Sequence, residues 1–550
     1  MKTLLFISLL FPFYLLAQKK TPVDLLVYNA KIYTVDAQFS VQQAMAVKGG
    51  KIVALGTAKN LEKRWAPRVR INAEGKTIVP GLIDAHAHFV GYALGLRQVN
   101  LVDTKSWSEV LQRLQAFAQQ KKPQPGEWII GRGWDQNDWD DKAFPTNALL
   151  DSLFPFNPVL LTRVDGHAAI ASSSALQKAS VQPGQIITGG SVEVKNGKPT
   201  GILIDNAVDL VSSKVPPPSL PVMKAALQEA ERNLFAQGLT TVHDCGLDFM
   251  MVETLKSMQD AKELRLRLYV MLSDAPRNFN YLIKRGAIKT PALNVRSFKV
   301  YADGALGSRG AALLQPYHDR PDWSGFLLSS PAHFDSVAAL IRQHGFQMNT
   351  HAIGDSGARV ILDIYTKHLG GKNDLRWRIE HAQVVSPQDF QKFGVYSIVP
   401  SVQPTHATSD MYWAGDRLGP QRVTGAYAYK QLLQQNNWLP LGTDFPVEDI
   451  SPFKTFYTAV VRTDSAGFPN GGFQIENALS RKEALQGMTI WAARAGFEEG
   501  EKGSLEVGKW ADFVVLDRDL MTAPPEQILQ TKVVATYLGG QRVYGRNASQ

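Results

Sequence analysis

Two histidines stand two residues apart in Pro80-Gly81-Leu82-Ile83-Asp84-Ala85-His86-Ala87-His88. The run Lys76-Thr77-Ile78-Val79 before them, together with Leu82-Ile83, reads as one short apolar strand. Side chains on a strand alternate faces, so His86 and His88 aim at the same point. Imidazole is the commonest neutral nitrogen donor to Zn²⁺, and two rings aimed together make half of a metal site. Such a pair alone equally describes two histidines packed at a strand end. What weighs against that is the company further along the chain: Lys299, His351, His381 and Asp444, each at the end of an apolar run. A single strand-end histidine is more often a satisfied core residue than a ligand. Six competent residues at the right ends of five segments are not explained that way.

The elements that must position these residues are also readable. From 77 to 495, strand-like runs alternate with helical patterns, the mark of parallel β/α units. Met223, Leu227, Ala230 and Leu234 recur at helical spacing, and Gly238 follows as a stop. With the strand before His86, the candidate strands are 239–242, 266–272, 297–301, 346–350, 377–380, 395–399 and 438–442. Eight such units predict a (β/α)₈ TIM barrel of the α/β class, whose strand ends converge on one mouth. A long insertion at about 89–222, rich in Trp, Pro and Asp, follows the first strand and predicts a lid with its own structure. Short β-rich runs at 22–76 and 496–550 predict one small β-sandwich built from both termini.

Composition narrows the function classes. Of 550 residues, 44% are hydrophobic and 20% charged, ordinary for a globular protein. The net charge of +9 is dispersed, with no run of five or six basic residues, so neither nucleic acid nor a membrane surface is indicated. Residues 1–17 carry one lysine, a short apolar core and a small residue before Gln18, the pattern of a signal peptide and too short for a membrane anchor. Export to the periplasm or medium is the expectation. Cys245 is the sole cysteine, so no intrachain disulfide forms. The expected partner is a small-molecule substrate, with homo-oligomerisation left open.

At this point the chain resembles the amidohydrolase superfamily, in the branch containing N-substituted formamide deformylase. The resemblance runs from about residue 22 to the end. It includes Pro80 to His88, Gly131-Arg132-Gly133-Trp134-Asp135-Gln136, Asp165-Gly166-His167-Ala168-Ala169, Ala302 to Arg309, His351 to Asp355, Gly442 to Val447 and Gly503 to Phe513. It implies one divalent metal on His86 and His88 and a second on His351 and His381, with Lys299 carboxylated to bridge them. Burial lowers a lysine's pKa, and the free amine can then take up CO₂ as a carbamate. Asp444 would be both ligand and proton shuttle. Two Zn²⁺ are expected, although the ligands also suit Fe²⁺, Mn²⁺ or Co²⁺. The implied reaction is hydrolysis of a non-peptide C–N bond in an amide, formamide or related group, by a metal-activated hydroxide attacking a polarised carbonyl.

Specificity is expected from His167 and Arg309 as substrate-facing donors, Trp134 and Asp135 on the lid, and His406 near the end of strand seven. Strand alternation turns Glu380 away from the mouth, while Asp303 orients a ligand from behind. Two other readings compete. A single-metal deaminase of a ring substrate would want a glutamate after His351, where Ala352-Ile353-Gly354-Asp355 stands. A catalytically inactive exported binding protein would have no need of six competent ligands.

Overall fold

The computed structural model describes residues 20–545; the leader at 1–17 lies outside the described residues. Seven parallel strands form the barrel wall: Leu82–Ala87, Leu239–Leu247, Arg267–Ser273, Leu293–Tyr301, Gln347–Ala352, Arg378–His381 and Val399–Ser401. Leu82–Ala87 and Gln347–Ala352 are buried at every position. This is why they read as continuous apolar runs rather than alternations: helices cover the outer face of a parallel sheet and side chains fill the inner one. The core joins Val242, Leu268, Val295, Phe298 and Ile379 on the strands to Leu227, Leu255, Ile341 and Ile361 on the helices.

The eighth position is taken by residues 438–445, which make a parallel bridge (Val402 to Leu441) instead of a full strand. Pro440 has no N–H to give a ladder. The segment still closes the barrel. Gly442 N donates to Val402 O at 3.0 Å on one side; Ala85 N donates to Leu441 O at 3.1 Å and Asp444 N to His86 O at 2.8 Å on the other. Strand seven also differs from expectation. Residues 390–395 are helical, with Phe390 and Phe393 buried at helical spacing, and the strand begins only at Val399.

The expected single strand before His86 is two. Thr77–Pro80 pairs antiparallel with Phe513–Leu516, in the sheet of the sandwich, and the barrel begins at Leu82. Gly81 marks the crossing, where a Cβ would lie 2.3 Å from Thr240 Oγ1. The sandwich has a four-stranded sheet from residues 21–72 and a six-stranded sheet drawn from both ends of the chain. Its core includes Leu25, Ile32, Ile78, Phe513 and Tyr537.

The insertion carries its own six-stranded sheet, in the order Gly190–Lys195, Lys198–Asp205, Ala168–Ala171, Val159–Arg163, Ile129–Trp134 and Val99–Asn100. Ile129–Trp134 and Val159–Arg163 run parallel, and Ala168–Ala171 runs back between Val159–Arg163 and Lys198–Asp205. Their registers bring Asp135, Arg163 to His167 and Asp205 to one edge of that sheet.

Closure gives a test. A Cβ on Gly442 would lie 2.6 Å from His86 N and 2.8 Å from His86 O, both backbone atoms that cannot swing aside. Gly442→Ala is expected to cost about 1–3 kcal/mol, the usual range for forcing extra volume into a packed interior. Urea denaturation measures this, and an unchanged midpoint would contradict the closure described.

Candidate metal centre

His86, Lys299, His351, His381 and Asp444 are buried at the barrel mouth, and His88 is partly open to the cavity above. The rings of His86 and His381 have centroids 4.7 Å apart, and those of His351 and His381 4.6 Å. His88 Nε2 lies 3.2 Å from Asp444 Oδ1 and His86 Nε2 3.6 Å from it. Neither contact satisfies that oxygen with a hydrogen bond, although it is buried. Ligand atoms of His86, His88 and Asp444 form one compact triad, and those of His381, His406 and Asp444 a second. Asp444 belongs to both.

Each ring is held from behind. His86 Nδ1 donates to Glu380 Oε2 at 2.6 Å, and His381 Nδ1 to Gln403 Oε1 at 2.8 Å, which leaves each Nε2 lone pair facing inward. His351 Nε2 is 3.3 Å from the Gly304 carbonyl oxygen, which leaves Nδ1 as its free acceptor. Burial depresses the pKa of all three rings, that of His86 to about 4, and nearby cationic or imidazole groups depress them further. They are therefore neutral, the form in which imidazole binds a metal. Neutral rings locked by outer partners around a buried carboxylate oxygen with no hydrogen bond fit a divalent cation.

Lys299 Nζ lies 3.3 Å from His86 Nε2 and 4.7 Å from the centre of the Tyr301 ring. Burial works against its charge, as the sequence reading assumed. Tyr301, Cys245, Glu380 and Asp444 outweigh that and hold its pKa above the ordinary value. His406 sits between Asp444 Oδ2 at 3.3 Å and Glu448 Oε1 at 3.1 Å. Burial opposes its charge, but these two bonds raise its pKa to about 10. It stands there as a protonated donor, so of the second triad it is the member that does not offer a lone pair.

The mouth opens into a cavity of about 1340 Å³, roofed by the insertion's edge. His167 and Asp135 both line it. The His167 ring lies 4.9 Å from that of His351, and its Nδ1 donates to Asp205 Oδ1 at 2.6 Å. Asp135 is locked, with Asp165, in an ion pair to the buried Arg163. Two expected substrate contacts lie elsewhere. Trp134 is fully buried in the insertion's own core, its Nε1 donating to Leu161 O at 2.9 Å. A large ring with one polar tip fills a core well when a carbonyl can take its N–H. Arg309 pairs with Asp319 at 2.7 Å and does not line the cavity.

Glu380 corrects the alternation argument. Its carboxylate faces the barrel interior beside His381 because His381 has φ 72° and Ala382 φ 42°, so the strand geometry ends there. Gln403 and Asp84 were also overlooked. Gln403 had no sequence signal, while Asp84 shares a face with His86 and His88 by period two. Asp444 itself has φ 63°, a left-handed conformation that a non-glycine residue adopts only under constraint.

Glu380→Gln is expected to weaken Zn²⁺ binding by about 10–100-fold, the range for losing such an outer partner. Calorimetric titration reads this, and unchanged affinity would refute the role. There is also a signature in acid. Burial alone would raise the Glu380 pKa, but His86 and Arg378 bring it down to about 2. This contribution to stability is present above about 4.5 and is lost as pH falls toward about 2. The metal-free Glu380→Gln protein should lose less stability across that window, measured by urea denaturation.

Comparison with known proteins agrees with this geometry. The chain is 34% identical over 543 residues to Protein LONG AFTER FAR-RED 3 of Arabidopsis thaliana, covering 95% of this chain and 91% of that protein. It is 27% identical over 561 residues to N-substituted formamide deformylase of Arthrobacter pascens, covering 96% and 99%. An uncharacterized metal-dependent hydrolase from Pyrococcus horikoshii superposes with a TM-score of 0.74 at 25% identity, over 91% of this chain and 99% of that one. A model of the amidohydrolase family matches residues 70–544, and the chain belongs to that family of metal-dependent hydrolases.

Proposed function

We propose that this protein hydrolyses a non-peptide C–N bond in a small amide, formamide or related compound. The observation that carries the reading is the buried Asp444, which belongs to both triads of ligand atoms and whose Oδ1 has no hydrogen-bond partner. The family works with a divalent metal on small-molecule substrates. Here His86 and His88 would hold one ion, His351 and His381 another, with Asp444 between them. Two Zn²⁺ are the proposed ions. Lys299 would bridge them as a carbamate; its position 3.3 Å from His86 Nε2, with no ion pair among the described residues, supports this. Bound there, the metal pair supplies a water of lowered pKa and polarises the substrate carbonyl.

The chain's own groups do the rest. Asp444 takes the water's proton and returns it to the departing nitrogen, as a positioned base and then acid. His406, protonated between Asp444 and Glu448, is placed to donate toward an oxygen that gains charge. His167, steadied by Asp205, offers a second donor from the insertion side. A relative named for formamide deformylation supports the choice of bond. The leader at 1–17 supports export, to the periplasm or beyond.

Asp444→Asn is expected to lower kcat/KM by about 10²–10⁴-fold, the usual worth of such a group, while the melting temperature is retained. A panel of N-formyl, N-acyl and ring amides provides the assay. Undiminished turnover would remove Asp444 from this role. Chelation should abolish activity and Zn²⁺ restore it; full activity after complete metal removal would end the hydrolase mechanism proposed.

A further inference from the structure

The charged side chains on the cavity wall are nearly all spoken for. Arg163 is held by Asp135 and Asp165, and Lys454 by Asp449 at 2.8 Å. Asp205 accepts from His167, while Asp444 and Glu448 flank His406. Lys299 lies at the metal centre itself. Arg132 is the exception. It lines the cavity from the end of the insertion strand Ile129–Trp134, yet it forms no ion pair among the described residues. Its Nη2 donates to Val164 O at 2.9 Å, and its Nε is buried with no partner.

A guanidinium has five N–H donors in a planar fork, and holding one turn carbonyl uses only one of them. A charge left in that state costs stability unless something else meets it. The fork lies beside the backbone of Gly166, which has φ 80° and precedes His167. Burial works against the charge, and Asp165 and Asp444 support it only from beyond ion-pair distance. The acids Asp103, Asp138 and Asp209, also on the cavity lining, are solvent-exposed, where water and salt screen them.

We infer that Arg132 is an anion-recognition residue of the cavity, selecting amides that carry a carboxylate or comparable anionic group apart from the bond to be cleaved. The fork would take the group along its end, through Nη1 and the second N–H of Nη2, pairing two N–H donors with two oxygens. The bound substrate would then span from the insertion wall to the barrel mouth, with its anion next to His167. The identity of the ligand as an amide rests on the hydrolase reading, whereas the anion site can be measured by itself.

The test uses ligands that cannot be hydrolysed: benzylacetone, in which a CH₂ replaces the amide nitrogen, and its para-carboxylate. Each is titrated calorimetrically into the metal-loaded full chain. The carboxylate is expected to bind about tenfold tighter or more, about 1.4 kcal/mol. Arg132→Gln should bring the two ligands to equal affinity. Arg132→Lys, which keeps a cation at the wall and controls for folding, should retain more of the preference than Arg132→Gln. Equal affinities in the unsubstituted protein, including no measurable binding of either ligand, would overturn the inference. So would a preference that survives Arg132→Gln, since the metal centre would then be what binds the anion, or a reversed order of the two variants. Turnover of the neutral N-benzylformamide by the unsubstituted protein reports separately on the hydrolase reading.

Discussion

The carboxylate of Asp84 ties the fold to the site. It accepts from Thr443 Oγ1 at 2.7 Å, Thr443 N at 3.0 Å and His86 N at 3.1 Å. One buried side chain therefore fastens the segment that closes the barrel to the strand that presents the first two histidines. Burial pushes its pKa up to about 7, and the bonds from Thr443 and His86 pull the other way. The left-handed backbone at Asp444 follows directly after Thr443. A residue in that region is strained unless its neighbours fix it, and Asp84 together with the bond from Asp444 N to His86 O does so. Catalytic geometry and barrel closure thus rest on the same few atoms.

The polar interior of the barrel is arranged in depth. Arg378 is fully buried and reaches Ala85 O at 3.2 Å, Ala495 O at 2.6 Å and the His243 ring at 3.2 Å, with Glu380 beside it at 3.6 Å. Glu380 in turn holds His86. A cation placed below a carboxylate keeps it ionised, and the ionised carboxylate fixes the tautomer of the ring above. Such a stack is costly to bury, and each member has at least one partner, although the atoms Arg378 Nε, Glu380 Oε1 and His243 Nε2 have none. What it provides is a set of neutral nitrogen lone pairs held at fixed positions.

Much of this was legible in the chain itself because two periodicities carry it. Alternation along strands exposed His86 and His88, and apolar runs with helical patterns between them implied the barrel and its mouth. Legibility failed where the backbone leaves those regular forms. Glu380 and His381 face the same space only because His381 and Ala382 have positive φ. The eighth strand shrank to a bridge because of Pro440, and one apolar run became two strands at Gly81. Trp134 and Arg309 were misplaced for another reason. Residue type says that a tryptophan or an arginine can bind a ligand, but not whether a carbonyl such as Leu161 O or a carboxylate such as Asp319 has claimed it first. Gln403 gave no signal, since its role depends on a contact across strands.

The pairing of Thr77–Pro80 with Phe513–Leu516 bears on how the molecule is made. The residues just ahead of His86 emerge early from the ribosome, and the strand that secures them emerges long after. Until then, Thr77–Pro80 has Lys31–Tyr33 on one side and no strand on the other. The six-stranded sheet of the sandwich is therefore completed only when the far end of the chain has been made.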